Sequence, residues 1–249
     1  MIPKILHFCW LGPDPYPPLV VRCIDSWHRL LPDWDYKLWD KNCIEIINSP
    51  WVIEAFQTKS YAFAADYIRL WAVYLYGGFY FDTDVEVLRD FSPLLSLPYV
   101  FGIENVSGKI EGATFGSEPG NKLIKDCLSF YDREAHFITD DGNRKENLIL
   151  PQVMSSVFTS GGRKIKIIQE PEDFILNNEE VQVFSKEYFS PKNYIYKDYR
   201  DLRPYTFSIH HFNASWMSIK KKFSFFLRRI LPQGLSEPLF WVWNKIRSI

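Results

Sequence analysis

The chain has 249 residues, enough for one large domain or one domain with an appendage, and its 47% hydrophobic content supplies an ample core. The net charge is only −1, but it is uneven: from Ile219 on, Lys220, Lys221, Lys222, Arg228, Arg229, Lys245 and Arg247 face Glu237 alone, so that segment carries +6 and residues 1–218 carry −7. This distribution argues against general nucleic-acid binding and for a local anionic surface at the basic end.

Cysteines stand at 9, 23, 43 and 127 without metal spacing, and are read as reduced thiols of a cytoplasmic protein. MIPKIL lacks the long apolar region of a secretory signal, and no apolar run reaches the roughly 18 residues that span a bilayer. The 17% aromatic content suits stacking on sugars and bases, membrane contact, or simply an aromatic core.

Residues 4–10, KILHFCW, predict a first buried strand, closed by Leu11-Gly12-Pro13. Ligands of open α/β sheets bind outside the carboxyl ends of strands, where Trp10 sits. His7, inside the strand, is expected in the core. Leu19, Cys23, Trp27 and Leu30 fall at helical spacing. Residues 36–39 predict a second strand, and 42–57 short helices broken at Pro50.

Residues 60–76 predict an uninterrupted helix carrying Asp66 and Arg69 on one face. Gly77-Gly78 stops it. Phe79-Tyr80-Phe81 is then a short aromatic strand, and if it continues, Asp82 and Asp84 point the same way at period two. Two carboxylates at a strand end suit a hard divalent cation such as Mg²⁺ or Mn²⁺. The alternative is a turn-forming triplet that merely ends a strand.

Strands are further expected at 99–103, near the start of 112–121 and at 164–169. Helices are expected over 121–133 and from Pro151 on, with a loop over 134–147. Residues 170–207 resist assignment. In YTFSIHHFNASWMS (205–218), His210 and His211 cannot both point the same way along a strand. In the tail, Phe223, Phe226, Leu227, Ile230 and Leu231 share one helical face among basic residues. Such a helix fits an anionic membrane interface, or alternatively packs on the domain or on a homodimer partner.

The stretch AADYIRLWAVYLYGGFYFDTDVEVL closely resembles the DXD-containing sugar transferases of glycosyltransferase family 32. IPKILHFCWLG and HHFNASW resemble further blocks of that family, in its order and spacing. The resemblance implies a GT-A-like α/β fold with a mostly parallel central sheet over residues 1–218, with 219–249 as an amphipathic helical appendage. It implies transfer of a hexose from a nucleotide-sugar, expected to be UDP-linked, with retained anomeric configuration.

By that resemblance Trp10 stacks the base, and Asp66 and Arg69 orient the sugar. Asp82 and Asp84, completed by His211 with His210 as the alternative, hold Mn²⁺ or Mg²⁺. Ser215 and Trp216 reach the diphosphate, and Glu104, Asn105 and Thr114 are weaker candidates near the donor sugar and acceptor. No nucleophile stands out. The setting implied is bacterial capsule or O-antigen synthesis on a glycan or lipid-linked acceptor, at the inner face of the membrane. A toxin-like protein glycosyltransferase is the alternative enzyme. Outside enzymes, the alternatives are a non-catalytic nucleotide-sugar-binding module and a membrane-surface scaffold.

Overall fold

The computed structural model describes residues 1–177, 179–195 and 198–213. Strand β1 (Ile5–Cys9) leads through a proline-rich loop into helix α1 (Pro18–Leu30), which buries Val20, Cys23 and Trp27 at helical spacing. Then come β2 (Asp35–Trp39), α2 (Cys43–Ile47), α3 (Pro50–Gln57) and α4 (Tyr61–Tyr76). Pro18 and Pro50 sit in the first turns of their helices, where a missing N–H costs nothing.

After α4 the chain forms β3 (Gly78–Phe81), β4 (Val85–Val87), β5 (Tyr99–Val100) and β6 (Thr114–Ser117). Helix α5 (Lys122–Glu134) is capped by the Asn121 side chain, which accepts from the Leu123 and Ile124 amides. Helix α6 (Leu150–Phe158), β7 (Lys164–Ile168), β8 (Glu180–Phe184), α7 (Lys186–Phe189) and β9 (Ser208–His210) complete the described chain.

The central sheet has the order β2-β1-β3-β6-β5. Strand β1 pairs parallel with both β2 and β3, while β6 runs antiparallel to β3 and β5. Four of the five strands therefore point one way, the mainly parallel α/β sheet expected. Its two faces are both covered, as parallel strands require. Tyr80 joins the cluster of Trp51, Ile68, Phe115 and Tyr131 on one face, while Phe79 and Phe81 join Leu6, Trp27, Phe91 and Phe189 on the other. That period-two split makes β3 the central strand of both cores.

Gly77 and Gly78 have φ of 64° and 96°, conformations glycine adopts without penalty. A Cβ on Gly78 would lie 2.5 Å from the Ile5 carbonyl oxygen. The pair therefore does more than stop α4: it lets β3 enter directly beside β1.

Three details differ from expectation. Strand β3 ends at Phe81, and the Val85 amide bonds back to the Asp82 carbonyl at 2.9 Å. Asp82-Thr83-Asp84 is thus a turn, and β4 leaves the central sheet to pair with β9. The 99–103 strand is regular only over Tyr99–Val100, with Gly102 and Ile103 making single bridges. The unassigned 170–207 region contains β8, parallel to β7, and α7. The tail, 219–249, lies outside the described residues. Among the described residues, no helix is long and apolar enough to cross a membrane.

Candidate active site

The site forms where β3 ends. The Asp82 amide still bonds the Ala113 carbonyl beyond β6 at 2.8 Å, which holds the start of the turn to the sheet. Strand β4 is clamped from the other side by α1: the Trp27 indole donates to the Val85 carbonyl at 2.7 Å, and Ser26 Oγ accepts from the Val87 amide at 2.9 Å. Asp82 and Asp84 are brought together by a turn fixed at both ends, not by strand alternation.

Arg69 grips the first of them. Its Nη2 lies 3.1 Å from both Asp66 Oδ1 and Asp82 Oδ1, and Nη1 donates to Asp82 Oδ2 at 3.3 Å and to the Gly112 carbonyl at 2.7 Å. Nε donates to the Ala65 carbonyl at 3.1 Å. The guanidinium is therefore engaged through every nitrogen, and it stacks over the Tyr80 ring. Tyr80 in turn donates its hydroxyl to Asp82 Oδ1 at 2.9 Å. Asp66 Oδ2 accepts from the Leu150 amide at 3.1 Å, at the start of α6. Asp66 and Arg69, expected to orient the sugar, here form a network that positions Asp82.

The charges follow from this burial. Asp66 is raised to about 6 by desolvation, which Arg69 only partly offsets. Burial also raises Asp82, against Arg69 and with the help of Asp84. Burial by itself would lower Arg69, but Asp82, Tyr80 and Asp66 keep it firmly charged.

Of the two histidines, with His211 expected ahead of His210 to complete the metal shell, the structure places His210 beside the aspartates. His210, not His211, stands with the two aspartates: one ligand atom each of Asp82, Asp84 and His210 lie within 4.8 Å of one another. His210 Nε2 is 3.5 Å from Asp84 Oδ1, and its Nδ1 is 3.3 Å from Glu111 Oε1. Burial opposes its protonation, yet Glu111, Asp84 and Asp82 outweigh burial and raise it to about 9.

His211 Nε2 instead meets Glu86 at 2.8 Å, with Arg22 and Lys192 close by. The register decides between the two: Val85 pairs with His210 across β4 and β9, and parity then sends His211 to the other face. The His211 amide still bonds the Asp84 carbonyl at 3.0 Å, so it braces the turn through its backbone.

Phe212 follows with φ 51°, a left-handed value unusual for a bulky residue. Its ring packs on the His210 ring, and the next amide, Asn213 N–H, donates to Asp84 Oδ2 at 2.7 Å. The strained residue thus turns the chain so that a backbone donor reaches the second carboxylate.

Trp10 lies just past β1. Continuing the β1–β3 register beyond His7↔Tyr80 sets Cys9 level with Asp82, so Trp10 borders the site. Its indole nitrogen is buried without a hydrogen-bond partner, and its ring meets Tyr16 edge-on at 5.1 Å. Of the weaker candidates, Asn105 is committed to the Pro191 carbonyl and Asp201. Glu104 takes a bond from Ser107 Oγ and is raised to about 7 by burial and then Glu111. Thr114 is buried with an unpartnered hydroxyl. Ser215 and Trp216 lie outside the described residues. Glu111 escaped the sequence reading; a lone Glu between Ile110 and Gly112, in a run otherwise free of charge up to Ser117, was its only signal.

The donor set, two carboxylates and an imidazole at a strand end, could hold a divalent cation. Comparison with known proteins gives the rest. Residues 17–100, about a third of the chain, match the family model described as a glycosyltransferase sugar-binding region containing a DXD motif, and Asp82-Thr83-Asp84 is such a motif within them. Over those residues the chain is similar to that family.

Inositol phosphoceramide mannosyltransferase 3 of Schizosaccharomyces pombe is 36% identical over 104 residues, covering 39% of this chain and 28% of the relative. Two mannosyl phosphorylinositol ceramide synthases of Saccharomyces cerevisiae are 34% identical over 144 residues, covering 53% and 36%, and 27% identical over 202 residues, covering 75% and 52%. The chain thus spans between about a quarter and a half of these relatives' lengths. A solved structure, PaToxG glycosyltransferase, superposes with a TM-score of 0.48 at 18% identity, covering 64% of this chain and 68% of that one. The curated relatives named here are fungal mannosyltransferases, not the bacterial capsule enzymes that the resemblance suggested.

Proposed function

We propose that this chain is a divalent-metal-dependent glycosyltransferase that moves a hexose, mannose by kinship, from a nucleotide-sugar to a lipid-linked or glycan acceptor. The observation that carries the reading is that His210, far along the chain, comes together with Asp82 and Asp84 of the DXD motif. Three features support a cation there: hard oxygen donors, an imidazole, and the carboxylates of Asp82, Asp84 and Glu111 drawn around one histidine. Mn²⁺ suits that mixture better than Mg²⁺. When bound, such an ion neutralises charge on the departing diphosphate.

The protein's own groups do the remaining work. Arg69 holds Asp82 through a two-nitrogen fork, and Asn213 N–H holds Asp84, so both carboxylates are oriented before any ligand arrives. Trp10 offers an aromatic face beside the site for the base. The relatives' names place mannose on a phosphoinositol ceramide, which favours a lipid acceptor over the capsule setting. The basic segment 219–249 fits an enzyme working at an anionic inner membrane surface.

A panel of UDP- and GDP-linked hexoses, assayed for nucleoside diphosphate release with Mn²⁺, tests the proposal. One donor should be consumed, and EDTA should stop the reaction. Consumption of no donor, or full turnover in EDTA, would overturn it.

A further inference from the structure

We propose that Glu111 is a positioning residue of this site: its carboxylate, 3.3 Å from His210 Nδ1, sets the rotation of the ring and so aims Nε2 at Asp82 and Asp84. The inference rests on the metal-site reading above and goes beyond it, since Glu111 lies outside the matched segment.

Glu111 is a buried carboxylate, 1% exposed, in the approach to β6. A buried carboxylate needs a partner or a heavy cost is left unmet. Its Oε1 accepts from the Ala113 amide at 2.8 Å and lies 3.3 Å from His210 Nδ1; its Oε2 and that Nδ1 are both buried without a hydrogen-bond partner, so the two side chains meet as a close pair of groups that nothing else satisfies. His210 Nδ1 is therefore the side-chain nitrogen the structure sets beside it.

The segment holding Glu111 is itself built into the site. Glu111 N–H donates to the Gly102 carbonyl at 2.8 Å. The Gly112 carbonyl accepts from Arg69, and the Ala113 carbonyl accepts from the Asp82 amide. Three consecutive residues thus touch three members of the site: His210, Arg69 and Asp82. Phe212 covers one face of the His210 ring, which leaves rotation in the ring plane to be fixed at Nδ1. A carboxylate on one imidazole nitrogen with the other aimed at the metal position is how such histidines are held in the ligating tautomer.

The test is Mn²⁺ affinity, read from free-ion EPR, for the full chain carrying E111L, E111Q, H210N and E111L/H210N. E111L should weaken binding by about 10–100-fold, the usual cost of losing such a partner. E111Q, whose amide oxygen keeps a polar acceptor beside Nδ1, should recover most of it. In the H210N background E111L should add nothing, because Glu111 acts through the ring. Should E111L fail to fold, E111N, which stays polar but retracts from the ring, carries the same expectation.

Unchanged affinity in E111L, or an equal further loss on top of H210N, overturns the role of Glu111 while leaving the metal site intact. A wild type that binds no Mn²⁺ and matches D84N overturns both, so the two failures are told apart.

Discussion

Replacing Arg69 with methionine should expose how the site is held. The side chain is 6% exposed and lies between Asp66 and Asp82, with nitrogen–oxygen distances of 3.1–3.3 Å. Methionine fills similar space but leaves two neighbouring carboxylates without their cation. Breaking a buried pair in this way costs about 3–5 kcal/mol.

The carboxylates have one escape, which is to bind protons. Asp66 already stands at about 6 with Arg69 present, and both groups rise further without it. In R69M the folded state therefore binds more protons than the unfolded chain, so its deficit grows as pH rises. Urea unfolding should give a loss near the upper figure at pH 8 and a smaller one at pH 5.5. R69K keeps the charge but not the planar fork, and should fall between R69M and wild type. Stability of R69M within about 1 kcal/mol of wild type at pH 8 would refute the buried network.

His7 should act oppositely on pH. Its Nε2 donates to the Gly77 carbonyl and its Nδ1 accepts from the Trp39 indole, which fixes the neutral form; burial lowers it to about 4. Against an unfolded value near 6.5, about 3 kcal/mol of stability should be lost as pH falls from 6.5 to 4. Asp66 contributes in the reverse sense between about 4 and 6, so the two effects oppose, and wild type against H7Q isolates the histidine by difference. An NMR titration placing His7 near 6.5 would contradict this. Gly78→Ala should cost more than about 1–3 kcal/mol, from its positive φ and the Ile5 carbonyl; thermal unfolding checks it. H210A should weaken Mn²⁺ binding by at least about tenfold. H211A should leave it near wild type, because its ring faces Glu86; equal losses in calorimetry would count against the assignment.

What could be read from the residues was mostly local. Alanines and leucines with no breaker placed α4, Gly77 ended it, and Asn121 announced α5, because caps and propensities act within a few residues. The acidic pair was visible as a motif, but whether the strand continued through it or turned was not; it turns, and the turn brings the side chains together. Arg69 was visible as a neighbour of Asp66 in the helix, but not as the clasp on Asp82, which depends on how α4 lies against β3. The choice between His210 and His211 had no local answer, since adjacent strand residues differ only in face. The pairing of Val85 with His210, more than a hundred residues apart, made that choice. Glu111 depends in the same way on its meeting with His210, far apart in the chain.

The most direct measurement is anomalous diffraction at the manganese edge from a crystal soaked with Mn²⁺ and a nucleoside diphosphate. A single strong peak bounded by Asp82, Asp84 and His210, with the pyrophosphate against it, is the expected result. Manganese bound elsewhere, or a nucleotide seated far from the turn after β3, would contradict the function proposed here.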